Sequence, residues 1–121
     1  MANPNLVNVQ NIYGNTAVLT VSTTTANIVQ NPISSSTLYK INSLIVTNVN
    51  TFSSAVGVTV QINQGGSTIT NLSQNMVVPG TSSIVISGRD TPLYLLENTS
   101  IQLSAGSNNS VNAVVSYEQI S

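Results

Sequence analysis

Apolar residues recur at every second position along most of this chain, and the clearest case is "AVGVTVQIN". Val56, Val58, Val60 and Ile62 fall on one face, and Gly57, Thr59 and Gln61 fall on the other. A period of two is the mark of a half-buried strand. "TSSIVISG" repeats it with Ile84 and Ile86, and "SIQLSAG" with Ile101 and Leu103. The final stretch sends Val111, Ala113, Val115 and Tyr117 to one side. "TLYKINSLIVTNVN" is longer and less regular. A strict period of two groups Tyr39 and Ile41 with Ile45 and Val49, and turns Leu44 and Val46 the other way. A strand apolar on both faces is either central in its sheet or bulged, here near Asn42 and Ser43. "NTAVLTVS" and "ANIVQN" supply earlier strands, "QNMVVPG" and "TPLYLLEN" later ones.

Turn chemistry separates these runs: "QNPISSS", "NQGGS", "VPGTSS", "GRDTP" and "GSNNS". Gly supplies positive φ, Pro fixes φ and removes a donor, and Asn and Ser bond their own backbone. No apolar stripe has the helical period. The pattern predicts an all-β fold, an antiparallel β-sandwich of jelly-roll or immunoglobulin-like type with about 7–9 short strands. Residues 14–121 form the single sandwich domain in this reading, with Val56, Val58, Val60, Ile62, Ile101, Leu103, Val111 and Val115 inside. Residues 1–13, "MANPNLVNVQNIY", form an extended N-terminal arm or an edge strand. Leu6, Val7, Val9 and Ile12 make it too apolar for a purely solvated tail, and they are the candidate subunit-contact residues.

Composition changes the picture at one point. Charged residues make up 4% of the chain, against roughly 25% in ordinary globular proteins. Ser, Thr, Asn and Gln fill the gap and account for nearly half of all residues. The formal net charge is −1 and the apolar share is 40%, so the charge-rich, apolar-poor signature of disorder is absent. Lys40 and Arg89 are the two cations, too few for the phosphate contacts of a nucleic-acid binder. No window approaches the length of a membrane span, and the opening residues lack the basic start and apolar run of a signal peptide. Folding in the cytoplasm where the chain is made is therefore expected.

Little chemistry is legible. The chain has no histidine and no cysteine, which removes the commonest general base and any disulfide or thiolate site. No GxSxG elbow or phosphate-binding glycine loop occurs. The carboxylates are Asp90, Glu97 and Glu118. Asp90 belongs to a turn and Glu97 to a strand end, and none sits in an acidic calcium-type loop. No enzyme, no metal and no cofactor is expected. Lys40, inside an apolar strand, raises the Lys–Asn isopeptide crosslink of some adhesin sandwiches; the plainer reading is a side chain that points outward along its stem. The N-x-S/T triplets at Asn71, Asn98 and Asn108 follow from composition. What remains is surface: neutral hydroxyls and amides can be buried against another subunit at less cost than charges.

Three stretches, "MANPNLVNVQNIYGNTAVLTV", "LYKINSLIVTNV" and "LYLLENTSIQLSAGSNNSVNAVVSYEQIS", resemble small structural proteins of tailed bacteriophages that infect marine cyanobacteria and related hosts. The most specific parts are "YKINSLIVTNV", the "VPG" turn followed by "LYLLENTSIQL", and "VVSYEQIS". The resemblance implies a β-sandwich component of the virion and carries no functional residues across. Within a virion three roles compete. The favoured one is a capsid decoration (cement) protein, homo-oligomeric and bound to the major capsid protein. The others are a tail, neck or baseplate component, and a receptor- or carbohydrate-binding adhesin module. Nucleic acid and membrane are not expected as partners.

Overall fold

The computed structural model describes residues 11–49, 55–65, 69–88, 93–107 and 111–121. They form nine strands: β1 (Ile12–Val21), β2 (Ala26–Asn31), β3 (Leu38–Asn48), β4 (Val56–Asn63), β5 (Ile69–Val78), β6 (Ser83–Ser87), β7 (Leu93–Leu95), β8 (Thr99–Ala105) and β9 (Val111–Ile120). Sheet A has the order β1-β9-β3-β6, with β7 also on β3; sheet B has the order β2-β8-β4-β5. All pairings are antiparallel. The expected antiparallel sandwich is thus the observed fold.

The pairings follow one rule. β1 pairs with β9, β2 with β8, β3 with β6 and β7, and β4 with β5. The chain is one long antiparallel ribbon whose tip is the β4–β5 hairpin. Wrapping the ribbon on itself adds two further pairings, β9 with β3 and β8 with β4, which complete the two sheets.

Alternation fixes which face of each strand is inside. Val56, Val58 and Val60 of β4, Ile101 and Leu103 of β8, and Val111, Ala113, Val115 and Tyr117 of β9 are buried together between the sheets. Burial of such side chains stabilises by about 1.5–3 kcal/mol each. Ile62 is a correction: it shares the inward face but is only half-buried, because β4 ends one residue later at Asn63. The irregularity of β3 has both causes anticipated for it. β3 is central, and its register on β9 shifts between Ile41 and Ser43. Ile41 and Leu44 are three residues apart, so regular pleating would put them on opposite faces. The bulge absorbs one residue, and both are fully buried. Leu44 and Val46 therefore share the core face with Ile41, and Ile45 turns outward.

One turn departs from expectation. In "VPGTSS" the N–H of Ser82 donates to the Pro79 carbonyl at 3.2 Å. The positive φ falls on Thr81, at 59°, and not on Gly80. Two asparagines do what the apolar pattern could not show. Asn31, at the end of β2 in sheet B, is fully buried and donates from Nδ2 to the carbonyls of Leu95 (2.9 Å) and Thr37 (2.7 Å) on the sheet A side. Asn48, at the end of β3 in sheet A, is also fully buried and donates to the Val78 carbonyl of sheet B at 2.9 Å. Each ties one sheet to the other with a neutral group that meets its partners.

Candidate interaction surfaces

Cross-strand register places the outward side chains in rows. On sheet A, Val18 of β1 stands opposite Val114 of β9, Val114 opposite Ile45 of β3, and Ile45 opposite Val85 of β6. The row is apolar across four strands, and Val18, Val114 and Val85 are 74%, 38% and 60% exposed. On one side lies the row Thr20, Asn112, Thr47 and Ser83, in which the Thr47 and Ser83 hydroxyls meet at 2.9 Å. On the other side Thr16, Ser116 and Ser43 stand together. One row further, Glu118 stands opposite Lys40 on β3 and Gly14 on β1.

The outward face of sheet B has a different character. Asn27, Gln102, Gln61 and Asn71 form an amide row across all four strands, and Gln61 Nε2 donates to Asn71 Oδ1 at 3.0 Å. Beside it opens a shallow cleft lined by Asn27, Gln30, Asn63, Asn98, Ser100 and Gln102, among others. The lining is polar and uncharged, with no aromatic platform.

The singled-out charges find local explanations. Glu97 Oε1 accepts the Ser36 N–H at 3.0 Å, and Glu118 Oε1 accepts Asn42 Nδ2 at 3.0 Å. Asp90 and Arg89 lie outside the described residues. Lys40, Asn42 and Glu118 line one depression on sheet A with Ser43 and Ser116. Those are the residue types of an isopeptide crosslink, but the depression opens to water and Lys40 and Asn42 sit two residues apart on one strand. A bond between them would join no separate elements. Among the described residues no cluster of acidic side chains is placed to hold a metal ion, and no helix is long and apolar enough to cross a membrane.

Tyr39 and Tyr117 stack at the end of the core with ring centroids 5.3 Å apart. Burial, and after it the neighbouring Tyr117 hydroxyl, raise the Tyr39 hydroxyl above its ordinary value of 10.0. Of the contact residues expected in the arm, Leu6, Val7 and Val9 lie outside the described residues. Ile12 opens β1, paired with Ile120, and is 56% exposed. Sequence reasoning missed the rows themselves, since a row is a property of register between strands far apart in the chain.

No protein-family model and no curated protein matches the chain. Among solved structures it is similar to a pentameric capsid protein isolated from metagenomic phage sequences, at 16% identity and a TM-score of 0.37. The alignment covers 94% of this chain and 61% of that one, so the chain spans about three fifths of that protein's length.

Proposed function

We propose that this chain is a non-enzymatic structural protein of a phage particle, a capsid decoration protein that sits in many copies on the major capsid lattice. The observation that carries the reading is the surface. Among the described residues both outward faces consist mainly of cross-strand rows of amides, hydroxyls and β-branched side chains, and the two charges in those rows, Lys40 and Glu118, stand opposite each other, with Tyr94 beside Lys40. Such a surface can be covered by another subunit with little charge to desolvate. We read the wrapped-ribbon strand order as a jelly roll, a topology that serves capsid shells, lectins and metal-binding cupins alike. A chain without histidine is a poor candidate for the last of these. The resemblance of the sequence to tailed-phage structural proteins, with marine cyanobacteria as hosts, points the same way.

Quantitative mass spectrometry of purified particles tests this. A decoration protein appears in numbers comparable to the major capsid protein; a tail, neck or baseplate part appears in a few copies per particle. Absence from particles overturns the proposal. The adhesin reading draws on one observation, the amide-lined cleft of sheet B. Glycan-array binding abolished by Gln102→Ala would support it. The N-terminal contact proposed for Leu6, Val7 and Val9 is tested by deleting Met1 to Gln10. Incorporation into particles should weaken while thermal unfolding stays nearly unchanged.

A further inference from the structure

Sheet edges need protection, because a row of unpaired N–H and C=O groups invites another strand. Among the described residues the edge strands of this sandwich are protected unequally. β6 and β7 are five and three residues long. β2 has six residues and a register shift between Asn27 and Val29. β5 has ten residues, but its register on β4 shifts on both sides of Val60. There Asn75 has φ of 50° and its N–H donates to Thr59 Oγ1 at 3.0 Å. Bulges of this kind twist an edge away from pairing. β1 has none of these devices. It runs for ten residues, "IYGNTAVLTV", with no charge, no proline and no shift in register on β9.

The free groups on β1 can be named. Asn11 and Ser121 exchange both backbone hydrogen bonds, each at 2.9 Å. Opposed residues of an antiparallel pair alternate between bonded and non-bonded, and the register continues unbroken from Ile12 opposite Ile120 to Val21 opposite Val111. Odd-numbered residues of β1 therefore face β9 with their N–H and C=O. Ile12, Gly14, Thr16, Val18 and Thr20 turn theirs to the free edge. The Thr16 N–H already donates to the Asn15 side chain at 2.9 Å, a bond that a pairing strand displaces.

We infer that two copies of this chain join edge to edge through β1, antiparallel, with Val18 opposite its own counterpart. The occupant follows from matching. A long regular edge needs an equally long regular partner, and in this chain only β1 supplies one among the described residues. The edge strand itself has no charge to attract a charged partner or to repel a copy of itself. The apolar row of sheet A ends on the edge at Val18, the most exposed of its members. With Val18 at the twofold axis, that row continues into the same row of the second copy. Thr16 then pairs with Thr20 of the second copy. The contact is isologous, as a closed dimer requires. The inference deepens the particle-subunit reading and rests on it for its purpose.

The test uses the free chain of 121 residues, so a failure here leaves the particle reading standing. Sedimentation equilibrium should give a dimer that dissociates on dilution. Val18→Lys places a charge on the edge and should yield a monomer with unchanged circular dichroism and the thermal midpoint of the dilute, dissociated parent chain. Val18→Pro removes an N–H that β9 does not use, and should also abolish the dimer. Hydrogen exchange should slow at the amides of Val18 and Thr20 in the dimer and not in Val18→Lys. A monomer at every concentration overturns the inference. So does a dimer indifferent to both substitutions. A monomer whose Val18 and Thr20 amides are already protected, and lose protection on deletion of Met1 to Gln10, assigns the edge to the chain's own N-terminal residues and overturns it as well.

Discussion

Replacing Asn31 by Ala strips the Leu95 and Thr37 carbonyls of their side-chain donor where little water can replace it. The expected cost is about 1–3 kcal/mol, and the same holds for Asn48 beneath the Val78 carbonyl. Urea unfolding of the two variants measures it. Ser73 is the opposite case. Its hydroxyl is buried with no hydrogen-bond partner, so Ser73→Ala should be neutral or stabilising by up to about 1 kcal/mol in the same assay. Tyr39 sets an alkaline limit. Its folded value lies above the ordinary 10.0, so the unfolded chain ionises first and stability is full below that pH. Stability should fall as pH rises through and beyond 10.0, and Tyr39→Phe should flatten that limb of a thermal-midpoint profile. None of these roles was legible in the sequence. Asn31 and Asn48 are spelled like the many surface asparagines, and only the partner across the sandwich distinguishes them.

At the scale of elements, the bulge in β3 makes a sharper prediction. Deleting Asn42 would leave Ile41 and Leu44 two positions apart, still on the core face, so the protein should fold with a near-native circular dichroism spectrum. Deleting Ile45 instead would set Val46 directly after Leu44 and turn it outward. That loses about 1.5–3 kcal/mol from Val46 alone and the buried Asn48 besides, and should leave the variant unfolded or aggregated. Strands with one apolar face were readable because burial enforces alternation: β4, β8 and β9 came directly from the pattern. The first half of β5, from Ile69 to Ser73, was not expected as strand. It lies on a sheet edge with Ile69, Thr70 and Asn71 exposed, where no apolar alternation is required. β1 likewise begins at Ile12, within the stretch read as arm or edge strand.

For the whole molecule, scarcity of charge predicts how it associates. Contacts made by amides, hydroxyls and valines are hardly screened by ions, so if the proposed particle role holds, attachment should change little between low and moderate salt. Release by moderate salt alone, followed by sedimentation of the particles, would contradict this. The wrapped ribbon has a consequence in time. β9 is the inner strand of sheet A, held between β1 and β3, yet it is made after every other strand of the sandwich. Until β9 emerges from the ribosome, β1 has no partner in its own sheet and β3 has only the short β6 and β7. Contacts of such sequence separation fold slowly, on the order of milliseconds to seconds. The nascent chain therefore carries bare strands with a single charge between them, Lys40, through most of its synthesis. Chains stalled before Val111 should be protease-sensitive and recruit chaperones, and completion of β9 should abruptly end both.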